Sequence, residues 1–143
     1  MKQVHLFSDG SSLGNPGFGG YCAILKYKDH EKIVSGSKAN VTNNQMELKA
    51  VVEGLKVLKS PCKVEIISDS SYVVKGINEW LNGWIKKGFK NIKNPDLWKE
   101  YVEVSSIHQI KAVWVRGHDG HKENEKCDKI ARDEATKLKE SQG

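Results

Sequence analysis

The sequence is poor in the residues that staple or interrupt a chain. Of its 143 residues only three are cysteine, Cys22, Cys62 and Cys127. They are odd in number, far apart and form no C-x-x-C pair, which argues against a disulfide framework and against a thiolate zinc site. They read as buried reduced thiols, the usual state of a free cysteine. Only three prolines occur, and each marks a boundary: Pro16 in "GNPG", Pro61 after one helical pattern and Pro95 near the start of another. No run approaches the roughly 18–20 apolar residues needed to span a bilayer. The opening "MKQVHLF" lacks the apolar stretch and cleavage site of a secretory leader, so a cytoplasmic protein with no membrane association is expected. Internal repeats, low-complexity tracts and dividing linkers are missing too. A single domain over 1–143 is therefore expected, with a frayed tail at 141–143. The glycines near the N-terminus carry no G-x-x-x-x-G-K-[ST] pattern, which excludes a phosphate-binding loop.

What remains is an ordinary soluble composition, 38% hydrophobic and 29% charged. Its charge is unevenly spread. The net charge is +5, and residues 80–99, "WLNGWIKKGFKNIKNPDLWK", set five lysines against the one acid Asp96, so this segment alone carries +4. A concentrated basic segment suits a polyanion.

Hydrophobic periodicity predicts strands at 2–9, 20–29 and 31–42, the last two joined by a turn at Lys28–Asp29–His30. In "GNPG", Pro16 is expected at the first central turn position and Gly17 at the second. A helix follows over 43–59, with Thr42 or Asn43 as its cap. Then come a strand at 63–68, a helix from Ser70 to Trp80, a helix over 95–107, a strand at 109–117 and a terminal helix over 123–140. Three antiparallel strands followed by two helix-connected strands predict an α/β fold, a five-stranded mixed sheet flanked by helices.

Four acids stand where this pattern calls for core residues. On the first helix Glu47, Val51, Leu55 and Leu58 form one stripe headed by Glu47. On the last helix Asp128 heads a stripe with Ala131, Ala135 and Leu138. Asp9 shares strand parity with His5 and Phe7, and Asp69 closes the fourth strand. A carboxylate taken out of water costs several kcal/mol unless it is paired or binds a cation. One arrangement resolves all four, which is to meet at one place and share divalent cations. All-oxygen ligation favours Mg²⁺ or Mn²⁺ over zinc. Two such ions could stabilise the attacking and leaving oxygens of an in-line phosphoryl displacement.

"SDGSSLGNPGFGGY", "TNNQMEL", "ISDSSYV" and "RGHDGHKENEKCDKIAR" resemble, in order, the motifs of ribonuclease H type 1, the bacterial form in particular, from residue 2 to about 138. The resemblance implies the ribonuclease H-like fold and hydrolysis of the RNA strand of an RNA–DNA hybrid, leaving a 3′-hydroxyl and a 5′-phosphate, as in removal of RNA primers and R-loops. It implies Asp9, Glu47, Asp69 and Asp128 as ligands of two Mg²⁺ ions, with Mn²⁺ a possible substitute and Asp9 bridging. It makes His118 the mobile catalytic histidine, with His121 beside it stabilising the loop. Asn15, Asn43 and Asn44 resemble minor-groove contacts to 2′-hydroxyls and base edges. Thr42 and Arg116 resemble phosphate contacts on the DNA strand. Trp80, Trp84, Phe89 and the lysines, Lys86, Lys87 and Lys90 among them, resemble the basic protrusion of bacterial members, the tryptophans packing and the lysines tracking phosphates. Departures from the family pattern are Ser71 after the Asp69–Ser70 pair, Phe89 in place of a tryptophan, a shorter protrusion, and Asp119 beside His118. A DNA-only nuclease or recombinase on the same architecture, a non-catalytic hybrid-binding module and a two-carboxylate glycosidase are the rival readings. With no heptad pattern and no surplus apolar face, a monomer is expected.

Overall fold

The first strand carries the whole architecture. In the computed structural model, which describes residues 1–117 and 120–142, β1 (Lys2–Gly14) lies at the centre of a five-stranded sheet. The order is β3-β2-β1-β4-β5, with β2 spanning Gly17–Tyr27, β3 His30–Val41, β4 Cys62–Ser68 and β5 Gln109–Trp114. The pairs β1–β2 and β2–β3 are antiparallel; β1–β4 and β4–β5 are parallel. This is the expected mixed sheet of three antiparallel and two helix-connected strands.

Both faces of the sheet are covered, by two unequal cores. Val4 and Leu6 of β1, Ala23 and Leu25 of β2 and Val64 and Ile66 of β4 face α1 (Asn43–Lys56), with Trp98 and Tyr101 of α4 (Pro95–Ser105) closing that side. The alternate residues face α5 (Lys122–Gln142), where Cys22, Ile24, Cys127 and Ala131 form a small second cluster flanked by Phe7. All three cysteines are free and buried, as expected.

Local chemistry explains the helix ends. Thr42 caps α1: its hydroxyl accepts from the Gln45 N–H at 3.2 Å, while the Gln45 side chain accepts from the Thr42 N–H at 2.9 Å. Such a reciprocal box is worth about 1 kcal/mol. Ser70 caps the short α2 (Ser71–Lys75), its hydroxyl accepting from the Val73 N–H. Pro95 opens α4 at a position where a missing N–H costs nothing.

The structure departs from the sequence expectations at several ends. The strands β1 and β2 run through the glycine-rich stretch to meet at Gly14 and Gly17, so Asn15 and Pro16 are the two central turn residues, joined by a cis peptide bond, and Gly17 belongs to the strand. The left-handed backbone falls on Gly14, φ 120°. The helix expected to end at Trp80 continues: α2 passes through a π-helical turn (Gly76–Trp80) into α3 (Leu81–Lys86). A Cβ on Gly76 would strike the Trp98 ring, so this turn is pressed against the fully buried indole. Three elements are shorter than expected: α1 ends at Lys56, α4 at Ser105 and β5 at Trp114. The terminal helix is longer than expected and runs over Lys122–Gln142. Among the described residues, no helix is long and apolar enough to cross a membrane.

Candidate active site

Strand register brings the acids together. The parallel pair Ser8↔Ser68 is the last between β1 and β4, so the next residues, Asp9 and Asp69, emerge side by side. On its other flank Asp9 pairs with Cys22, and Cys127 packs in the same cluster as Cys22, which brings Asp128 to that edge. Glu47 arrives from the opposite layer on the first turns of α1.

Close approach of backbone makes this convergence possible. A side chain on Gly10 would collide with the Met46 and Glu47 backbone, and one on Gly20 with the Ala131 carbonyl of α5. Bare glycine at these two positions lets α1 and α5, which carry Glu47 and Asp128, settle onto the sheet.

Asp9, Glu47 and Asp69 each offer a carboxylate oxygen, and these oxygens all lie within 4.8 Å of one another. Asp9 and Glu47 are buried, at 6% and 7% exposure, and Asp69 is half-buried. The Gly10 N–H donates to Glu47 Oε1 at 2.5 Å and to Asp9 Oδ1 at 2.9 Å. Burial, opposed by the Glu47 hydrogen bond and reinforced by the charges of Asp69 and Asp128, pushes the Asp9 carboxyl up to about 6. Burial first, then the hydrogen bond and charge of Asp9, hold Glu47 well above its ordinary value. Both carboxyls are thus pushed toward holding a proton. Crowded hard oxygens of this kind are a donor set on which a divalent ion can take the proton's place.

The fourth acid stands apart. Asp128 is not among the carboxylates that close to 4.8 Å; its Oδ2 accepts from Arg132 Nε at 3.1 Å and lies 3.0 Å from Arg132 Nη2 in an ion pair. Its charge is still felt at Asp9. His118 and Asp119 lie outside the described residues. His121 is exposed, and its carbonyl accepts from the Glu125 N–H at 2.9 Å, opening the first turn of α5.

Two of the three asparagines are tied together where β1 meets α1. Asn15 Oδ1 accepts from the Asn43 N–H at 3.1 Å, and Asn43 Oδ1 accepts from the Ser12 N–H at 3.0 Å. Asn44 and Arg116 are exposed, and Thr42 is half-buried at the cap. On the protrusion, Trp84 packs edge-on against Trp98 at 5.0 Å and tilts against Trp80 at 5.8 Å. Trp80 is 41% exposed, and Lys86, Lys87 and Lys90 are exposed.

Residues 1–136 match the sequence profile of ribonuclease H. The chain belongs to the ribonuclease H family. It is 60% identical over 140 residues to a ribonuclease H of Sulfurovum sp., covering 98% of this chain and 95% of that one. It is 58% identical over 137 residues to ribonuclease HI of Helicobacter pylori, covering 96% of each. These similarities place it with bacterial ribonuclease HI. Among solved structures it is similar to LC9-RNase H1, described as a type 1 RNase H with the type 2 active-site motif. That match has a TM-score of 0.88 and 30% identity, covering 94% of this chain and 72% of that one.

Three residues of this ribonuclease H site escape a reading of its sequence. Trp114 donates its indole N–H to the Asp69 carbonyl at 3.0 Å, holding the residue that ends β4. Asn94, in left-handed backbone at φ 58°, accepts from Gln45 Nε2 and donates to the Tyr72 hydroxyl, tying the start of α4 to the start of α1. Neither link has a sequence signal, since each joins elements far apart in the chain. Arg132 does have one: it stands four residues after Asp128, the spacing of a helical ion pair.

Proposed function

We propose that the chain is a metal-dependent endonuclease that hydrolyses the RNA strand of RNA–DNA hybrids. The observation that carries this reading is the meeting of Asp9, Glu47 and Asp69 within 4.8 Å at the end of the central strands, where the charge of Asp128 is also felt. Membership of the ribonuclease H family supports the substrate. The linked Asn15 and Asn43, with exposed Asn44, suit the minor groove, where a 2′-hydroxyl distinguishes RNA from DNA.

Asp9, Glu47, Asp69 and Asp128 would hold two Mg²⁺ ions, or Mn²⁺ in their place. When bound, the ions supply Lewis acidity at the scissile phosphate, lowering the cost of the attacking hydroxide and of the leaving oxygen. The chain's own residues do the rest. Asn15, Asn43 and Asn44 orient the RNA strand, and Thr42 and Arg116 hold a DNA phosphate. Lys86, Lys87 and Lys90 draw the duplex onto the protrusion, and Trp80 and Trp84 fix its angle against the body. Water adds to phosphorus, the bond from phosphorus to the 3′-oxygen breaks, and the products are a 3′-hydroxyl and a 5′-phosphate. His118, outside the described residues, would assist proton transfer or product release. Such an enzyme acts as a one-domain monomer in the cytoplasm, on RNA primers and R-loops.

The test is cleavage of labelled RNA in a hybrid, in an RNA duplex and single-stranded, alongside a DNA duplex, with Mg²⁺ or chelator. Cleavage of hybrid RNA alone, lost with chelator and in Asp9→Asn, is expected. Binding of hybrid without cleavage would replace the enzyme by a binding module; cleavage of duplex DNA would move it to the nucleases that act on DNA alone.

A further inference from the structure

Strand β5 and the turn after it enclose Asp69 from two sides. Ser68↔Trp114 is the last parallel pair between β4 and β5, and the Val115 N–H donates to the Ser68 carbonyl at 3.0 Å. Asp69 therefore stands one residue past the ladder. Its carbonyl accepts the Trp114 indole N–H at 3.0 Å, which fixes the peptide plane after Asp69. Ser70 then caps α2, and its N–H donates to Ser68 Oγ at 3.0 Å. With the backbone held on both sides, the freedom that remains is rotation of the Asp69 side chain. Gly117 limits that rotation. A Cβ there would lie 2.6 Å from Asp69 Oδ2, and its next nearest atoms, at 3.4 and 3.5 Å, also belong to the Asp69 side chain. Among the described residues, Gly117 is the one glycine whose added carbon would strike a carboxylate.

We propose that the end of β5 is a backstop for Asp69, with Trp114 and Gly117 the positioning residues that aim its carboxylate at Asp9 and Glu47. The inference rests on the metal-site reading above. Its physical basis is preorganisation. A ligand on a free rotor gives up rotamer freedom when it takes a cation; a ligand already held in place does not, and binds more tightly. Asp9 and Glu47 are set by burial and by the Gly10 N–H. Asp69 is half-buried, so its direction is set by what borders it. The fold has little need of either contact. Trp114 is 51% exposed, so water can serve both its N–H and the Asp69 carbonyl once they part. The atom facing Gly117 is the tip of a side chain, which can turn away where backbone could not. Gly117 is also outside the left-handed region, so an alanine meets no backbone strain there. What both residues bear on is the direction of one metal ligand.

Trp114→Phe removes the donor and keeps a ring; Gly117→Ala fills the space beside Oδ2. Mn²⁺ alone, titrated by calorimetry into substrate-free protein, should bind about 3- to 10-fold more weakly to each variant. Melting temperatures in chelator should stay within about 3 °C of the parent. In an Asp69→Asn background neither substitution should weaken Mn²⁺ binding further, since no carboxylate is left to aim. The Mg²⁺ concentration for half-maximal hybrid cleavage should rise by a similar factor in each variant. The rate at saturating Mg²⁺ should recover, because enough cation draws a misaimed ligand into place. Unchanged Mn²⁺ affinity in either variant removes that residue from the role. An equal further loss in the Asp69→Asn background, or weakening that comes only with a lower melting temperature, overturns the backstop and leaves the metal site standing. Undiminished Mn²⁺ binding by Asp9→Asn overturns the metal-site reading, and the backstop with it.

Discussion

At the scale of single residues, Asp9 is held at a cost that only function explains. Its carboxyl is 6% exposed, faces Glu47 across a hydrogen bond, and feels Asp69 and Asp128. Its folded value, about 6 against an ordinary 3.8, fixes the sign of its effect on stability. Between those values the native chain keeps a proton that the unfolded chain has lost, so stability falls as pH rises through this window, and the penalty is complete above about 6. Asp9→Asn keeps the acceptor for the Gly10 N–H and removes the charge. In chelator near pH 8 it should raise stability by on the order of 2 kcal/mol, read as a higher urea midpoint with unchanged m, while abolishing metal-dependent cleavage. A variant that loses both activity and stability would mean that the carboxylate serves the fold.

At the scale of elements, the site depends on how closely two helices meet the sheet. Gly20 on β2 leaves no room for a Cβ beneath the Ala131 carbonyl of α5. Backbone cannot yield as a side chain can, so Gly20→Ala should cost about 3 kcal/mol, the upper end for overpacking, and lift Asp128 away from Asp9. Thermal melts should show the loss, and hybrid cleavage should fall further than the unfolded fraction accounts for. The glycines were visible in the sequence; their partners were not, because the contact joins β2 to a helix more than a hundred residues on. What was legible rests on short-range rules. Alternation revealed the strands, the stripe headed by Glu47 revealed an inward acid, and Thr42 stood as one of two candidate caps for the helix it does cap. What was not legible rests on tertiary override. The π-helical turn at Gly76–Trp80 is shaped by the Trp98 ring, and Gly14 and Gly17 pair because the hairpin continues past the expected strand end.

The junction before β4 supplies a second element-scale test. His108 Nδ1 accepts the Cys62 N–H at 3.0 Å, and its Nε2 is buried without a hydrogen-bond partner among the described residues. Burial lowers its pKa. Because the native imidazole resists the proton, its contribution is complete above the unfolded value of 6.5 and is lost as pH falls through that value toward the lowered folded one. His108→Asn can keep an acceptor near the Nδ1 position without titrating. The loss of urea midpoint between about pH 7.5 and about pH 5.5 should be smaller in this variant than in the parent. An equal loss in both would place the titrating group elsewhere.

At the scale of the whole molecule, charge is separated in space as it is in sequence. The acids gather at the end of the central strands, and the lysines ring the protrusion formed by α3 and the loop after it. Trp84 pins that protrusion to Trp98, and Phe89 packs against the core with Lys99 over its ring at 5.9 Å. The protrusion is therefore anchored by aromatic side chains, while Lys86, Lys87 and Lys90, with Trp84, Asn91 and Ile92, line an open groove on it. This division predicts which kinetic constant each part controls. Contacts to phosphates away from the scissile bond strengthen ground state and transition state alike, so their loss raises KM and spares kcat. Each lysine that neutralises a phosphate also releases a counterion, contributing about 0.9 to the slope of log Kobs against log salt. Replacing Lys86, Lys87 and Lys90 together by alanine should raise KM at moderate salt, leave kcat within about twofold, and lower the salt slope by about 2–3. The same replacements should leave the melting temperature nearly unchanged, since these side chains are exposed and the tryptophans stay in place. An unchanged slope would show that the groove does not touch the duplex; a fall in kcat at saturating hybrid would mean that the protrusion helps align the scissile phosphate as well as hold the strand.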